Sequence, residues 1–114
     1  SGWDWIVEKY LEKTQFDVDK NGLKLQIGQI KEKFASLRVY TYPTANEHLD
    51  EVNVAYCEAL ADYTCEKCGC MSRDKQYTKG WIVGLCPECF KEKETEVQEE
   101  IEEYCKKFDF NLKI

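Results

Sequence analysis

Four cysteines form two C-x-x-C pairs, Cys65 with Cys68 and Cys86 with Cys89. Two sulfurs three residues apart can converge on one ion, and zinc takes four such ligands in a tetrahedron with metal–sulfur distances of about 2.3 Å. Seventeen residues, Gly69 to Leu85, separate the pairs, within the spacing of four-cysteine zinc sites. Gly69 follows the first pair, where a glycine permits a left-handed turn and lets backbone N–H groups face the sulfurs. Four sulfurs leave no coordination position for a catalytic water, so the expected cofactor is a structural Zn²⁺ ion on Cys65, Cys68, Cys86 and Cys89.

Three other readings of these thiols stay open. Iron also occupies four-thiolate sites, although these usually carry a knuckle on each side, whereas Phe90 and a helical pattern follow Cys89. Cys86-Pro87-Glu88-Cys89, between a strand and a helix, resembles a glutaredoxin-type dithiol; the second pair and the short chain weigh against it. Cys70 competes with Cys68 as a ligand. Cys57 and Cys105 read as small buried residues on helix faces.

The elements that must position the sulfurs follow from apolar spacing. Trp3, Ile6, Val7, Tyr10 and Leu11 predict an amphipathic helix over 3–14. Phe16 and Val18, then Asp19-Lys20-Asn21-Gly22, then Leu23, Leu25 and Ile27 predict a hairpin around a tight turn. Leu37 to Tyr42 predicts a further strand, ended by Pro43 and completing a meander of about three strands. Leu49, Val52, Tyr56, Ala59, Leu60 and Tyr63 predict a helix over 46–63 with Thr44 or Asn46 as N-cap. Gly80 to Leu85 predicts a strand into Cys86, and Pro87 opens a last helix to about residue 107, with a narrow apolar stripe of Phe90, Val97, Ile101, Tyr104 and Phe108. The fold class is therefore α+β: an N-terminal helix, a small antiparallel β-meander, a second helix, and a treble-clef-like zinc module ending in a long helix. The 114 residues read as one domain, with an αβ core over 1–64 and a zinc-stapled module over 65–108.

Other patterns carry less chemistry. Asp17 to Gly22 matches half a calcium-binding loop, but the twelfth position is Gly28 rather than a glutamate, so it reads as a turn. His48 stands alone, and no serine triad, phosphate loop or carboxylate pair is identifiable, so no catalytic residue is assigned.

The chain carries 33% charged residues and a formal charge of −6. Cys86 to Tyr104 holds eight glutamates against Lys91 and Lys93, a net −6, while Cys65 to Leu85 is +2. Affinity for nucleic acid comes mainly from cations on phosphates, so this balance disfavours a dedicated nucleic-acid binder. Two basic stretches, Lys31, Lys33 and Arg38 with Arg73, Lys75 and Lys79, keep that alternative in play if they meet in space. Within Lys31-Glu32-Lys33-Phe34, a solvated turn is the simpler reading, with Phe34 and Leu37 packed inward. No apolar run approaches the roughly 20 residues of a membrane span, and no basic-then-apolar leader is visible. Free thiols suit a reducing compartment, so a cytoplasmic protein is expected. The expected partner is another protein, reached through the aromatic face and the acidic last helix.

Gly2-Trp3, Ile30-Lys31-Glu32-Lys33-Phe34 with Leu37-Arg38-Val39-Tyr40, Cys65-x-x-Cys68-Gly69, and Gly80-Trp81-Ile82 with Leu85-Cys86 together resemble a family of small uncharacterised zinc-binding proteins of bacteria and their phages. The resemblance covers residues 2–90. Members usually have glycine where this chain has Ala35 or Ser36, and often histidine where it has Cys89; the second difference changes a ligand type and keeps the ligand count. The resemblance implies the zinc site and the fold and supplies no activity. A phage-borne member would work in the host cytoplasm, where glutamates on a rigid helix could inhibit a host factor by mimicking phosphates.

Overall fold

The computed structural model describes residues 1–42 and 47–111. In chain order it contains α1 (Asp4–Lys20), β1 (Ile27–Lys33), β2 (Ser36–Thr41), α2 (Glu47–Asp62), β3 (Gln76–Tyr77), β4 (Gly84–Leu85) and α3 (Pro87–Lys107). The architecture is α+β, with two small antiparallel sheets, β1–β2 and β3–β4. Among the described residues, no helix is long and apolar enough to cross a membrane.

α1 runs six residues past its expected end. Its buried positions Ile6, Tyr10, Thr14 and Asp17 keep helical spacing to the end, so Phe16 and Val18, whose alternation suggested a strand, face solvent. Asn21 caps the helix by donating its backbone N–H to the Asp17 carbonyl, and Gly22 follows at φ +68°. The Asp19 to Gly22 turn signal is thus a helix stop of the left-handed type. The hairpin lies later: β1 and β2 pair from Ile27↔Thr41 to Lys33↔Ser36, giving two strands in place of the expected meander of three.

The β1–β2 turn is the two residues Phe34 and Ala35, both in the left-handed region at φ 51° and 63°. Such a turn matches the twist of its strands but strains residues with side chains, and a glycine would take Ala35's conformation freely. Leu37 is buried as expected, whereas Phe34 is 74% exposed and not tucked inward. Because Phe34 buries little, Phe34→Asn should relieve strain and raise stability by about 0.5–1 kcal/mol, read as a higher urea midpoint.

α1 and α2 pack together with β2 around Trp3, Ile6, Tyr10, Leu37, Val39, Cys57 and Ala61. The expected apolar stripe of α2 is turned outward at Val52, Tyr56 and Tyr63, and the buried face is Asp50, Asn53, Cys57 and Ala61. Polar bonds explain the rotation. Asp50 accepts from Tyr10 Oη at 3.1 Å and Thr41 Oγ1 at 2.8 Å. Asp17, fully buried, accepts from Asn53 Nδ2 and Asn21 Nδ2, each at 2.7 Å, and from Lys13 Nζ at 3.0 Å. Cys57 is buried as expected, which pushes its thiol up to about 11. The Thr44 or Asn46 N-cap lies outside the described residues, as does the side chain of His48.

The donors on Asp17, Asn53 foremost, hold its carboxyl below the ordinary carboxylate range. A group depressed in the folded state stabilises above its unfolded pKa, about 3.9, and loses that contribution as pH falls toward the folded value. Asp17→Asn should therefore be less stable than the parent protein at pH 7, with the gap closing below about pH 4. Urea midpoints of both proteins at matched pH check this, since protonation of the thiols acts on both alike.

Candidate metal centre

The first pair sits on a knuckle closing the chain after α2. Cys65 N–H donates to the Cys70 carbonyl at 2.9 Å, Gly69 N–H returns to the Cys65 carbonyl at 3.1 Å, and Gly69 takes φ +79°. An isolated bridge, Thr64↔Met71, zips the base of this loop. The second pair opens α3, with Cys86 as its extended N-cap residue, Pro87 in the first turn and Phe90 N–H bonded to the Cys86 carbonyl at 2.9 Å. The predicted strand over 80–85 is reduced to Gly84–Leu85, because Gly80 (φ +78°) to Val83 form a loop braced by Thr78 Oγ1. Two bonds join the pairs: Glu66 N–H to the Gly84 carbonyl at 3.0 Å, and Gly84 N–H to Glu66 Oε2.

This scaffold gathers the sulfurs of Cys65, Cys68, Cys86 and Cys89 within 4.8 Å of one another. Cys68 Sγ and Cys86 Sγ are 3.8 Å apart, and a tetrahedron with metal–sulfur arms of about 2.3 Å has edges of roughly that length. Cys65, Cys86 and Cys89 are buried and Cys68 is exposed. The four can hold a metal ion, and Cys70 lies outside the group.

The electrostatics point the same way. Burial raises the Cys65 thiol, but backbone N–H groups of Cys68, Cys86 and Lys67 outweigh it and bring it down to about 6. Backbone N–H of Cys70 lowers Cys68 as well. Cys89 is pushed strongly up, first by burial and then by the sulfurs of Cys86, Cys65 and Cys68. The pocket thus favours the first thiolates and resists the last, the condition a divalent cation relieves. The positive end of α3 adds a smaller favourable field at Cys86 and Cys89.

Residues whose part here was not legible in sequence lock the knuckle onto the αβ core. Trp3, from the apolar face of the first helix, is buried in the core, yet its Nε1 also donates to the Thr64 carbonyl at 3.0 Å. Trp5 Nε1 donates to the Gly69 carbonyl at 3.1 Å, and Gly2 N–H to the Glu66 carbonyl at 2.6 Å. Lys75, expected in a basic patch, turns inward: its Nζ donates to the Ala61 carbonyl at 3.2 Å and lies 5.7 and 5.8 Å from the ring centres of Trp3 and Tyr77. Burial lowers its ammonium against the opposing charges of Glu66 and Asp62. Lys31 and Arg38 face each other across β1–β2, with Lys31 over the Tyr40 ring. At the hairpin tip Lys33 and Phe34 share a cleft with Gly80, Trp81 and Ile82, and none of Arg73, Lys75 and Lys79 lines it.

No family model matches the chain, and no curated protein and no solved structure matches it.

Proposed function

We propose that the chain is a non-enzymatic protein-docking module whose zinc ion, on Cys65, Cys68, Cys86 and Cys89, fixes α3 to the αβ core. The carrying observation is the closed four-sulfur group at the root of a helix that touches only β3 and β4 among the named elements. Four thiolates satisfy zinc completely, so the ion would hold structure, and function falls to the surfaces it positions. The resemblance to bacterial and phage zinc-binding proteins implies the zinc site and the fold alone, so the docking role rests on the site itself. In a phage-borne chain, the acidic helix would act as an inhibitor of a basic host protein in the host cytoplasm, with salt-sensitive affinity.

Elemental analysis of purified protein tests the site. One zinc per chain, and none in Cys65→Ser, is the expected result; zinc at full occupancy in that variant would mean the ligands are misassigned.

A second reading is nucleic-acid contact, favoured by one observation. Trp81, 83% exposed, and Phe34 flank one cleft beside Lys33, an arrangement on which unpaired bases can stack. With Lys75 turned inward, its cationic surface is smaller than the sequence suggested. A mobility-shift titration with single-stranded DNA that shows no complex at low salt removes it.

A further inference from the structure

We infer that the outer face of the β1–β2 hairpin binds single-stranded nucleic acid, an inference that rests on the nucleic-acid reading above and carries it beyond the cleft. Successive side chains along a strand point to opposite faces. Ile30, Leu37 and Val39 pack into the core and Thr41 Oγ1 reaches Asp50 on α2, so one face of the hairpin is covered. The residues between them, Lys31 and Lys33 on β1 with Arg38 and Tyr40 on β2, are exposed on the other face. Lys31 and Arg38 are direct partners across the ladder. None of these three cations forms an ion pair among the described residues. No acid stands between them either: Glu32 pairs with buried Leu37, is half-buried, and accepts from Ala35 N–H at 2.7 Å. Three unpaired cations on one face of a chain whose net charge is −6 select an anionic partner.

Aromatic rings decide which anion fits. Tyr40 and, one step past β2, Tyr42 continue the row of Arg38 and are 44% and 57% exposed. Lys31 Nζ lies 5.4 Å from the centre of the Tyr40 ring, which sets a cation beside an exposed aromatic. The Tyr42 ring rests over Gly28, where an added Cβ would meet its Cε2 at 3.2 Å. The backbone under that ring is fixed as well, because Tyr42 N–H donates to the Gln26 carbonyl at 2.9 Å. At the tip the row ends in Lys33 and the exposed Phe34. Rings interleaved with cations suit a single strand, whose phosphates meet the cations while its unpaired bases stack on the rings. An acidic peptide would use the cations alone, and a duplex keeps its base planes closed. The glutamates of α3 are not part of this face, since among the named elements α3 touches β3 and β4 and not the hairpin.

The test is anisotropy of a fluorescein-labelled oligothymidylate of about 15 nucleotides, titrated with the zinc-loaded full chain over a range of salt. Three phosphate contacts to a single strand give log affinity against log salt a slope of about −2, so binding should fall roughly twentyfold between about 50 and 200 mM salt. Lys31→Ala combined with Arg38→Ala should flatten that slope to about −0.7. Tyr42→Ala should instead weaken binding roughly fivefold or more and leave the slope unchanged. A duplex of the same length carries twice the phosphates, so charge alone would favour it, yet the single strand should bind more tightly; an oligoglutamate of the same length should bind roughly tenfold more weakly. All three substituted side chains are exposed, and zinc content and the thermal transition check that each variant is folded. A duplex or oligoglutamate bound as tightly as the single strand, or a slope unchanged in the double variant, would overturn the inference. If Trp81→Ala weakens binding and the hairpin variants do not, the inference fails and the cleft reading stands. Absence of any complex at low salt removes both.

Discussion

Chelation of the metal, or Cys65→Ser, is expected to unfold the segment from the knuckle to the root of α3 and leave the α1–α2–hairpin core as a loosened remnant. The reason is the composition of the second apolar cluster. Its buried members are Cys65, Leu85, Cys86 and Cys89, supported by Val83 and Phe90. Three of its four buried residues are candidate ligands, and β3 and β4 are two residues each. Without an ion, the cluster keeps little apolar area and gathers four thiols that resist sharing charge. Structural zinc sites bind with apparent free energies of about 10–16 kcal/mol at pH 7, as large as the whole stability of a typical domain, about 5–15 kcal/mol. Limited proteolysis should then cut between residues 66 and 86 in stripped protein and spare the loaded form. A cleavage pattern unaffected by chelation would mean that the metal does not hold this module together.

The four-cysteine group was legible because its information is local. C-x-x-C fixes the reach of two sulfurs, Gly69 permits the turn, and Pro87 marks the start of a helix, so span and site could be read together. The end of α1 was hidden for the opposite reason. Phe16 and Val18 alternate like strand residues, and what keeps them helical is the bond between Asp17 and Asn53, 36 positions away in sequence. The same long-range network rotates α2, so its polar residues Asp50 and Asn53 are buried while Val52 and Tyr56 face solvent. Periodicity assumes that apolar residues mark the inward face, an assumption that fails where a satisfied carboxylate occupies the core. Lys75 escaped for a related reason: a lysine beside Arg73 and Asp74 reads as surface, and only the fold brings Trp3, Tyr77 and the Ala61 carbonyl around it.

Gly2→Ala should be the most damaging single-methyl change in the chain. A Cβ at Gly2 would overlap the Cys65 carbonyl oxygen and lie 2.6 Å from the Gly69 nitrogen and 2.8 Å from the Glu66 carbonyl carbon. All three are backbone atoms of the knuckle, so no flexible side chain can move aside. To accommodate the methyl, the start of α1 must lift, and with it the indole bonds from Trp3 to Thr64 and from Trp5 to Gly69. Overpacking costs about 1–3 kcal/mol, and each lost indole bond adds about 1 kcal/mol. A loss of about 3–5 kcal/mol, or a melting temperature lower by roughly 12–20 °C, is expected. Gly22→Ala supplies the contrast. Gly22 has φ +68° with nothing within 4 Å of an added Cβ, so only backbone strain, about 1 kcal/mol, should appear there. Because Gly2 bears on the knuckle and Gly22 on the far end of α1, only Gly2→Ala should also weaken metal retention against a competing chelator. Equal losses in the two variants would show that α1 does not bear on the knuckle in solution, and that the metal module is held to the core by Lys75 and the end of α2 alone.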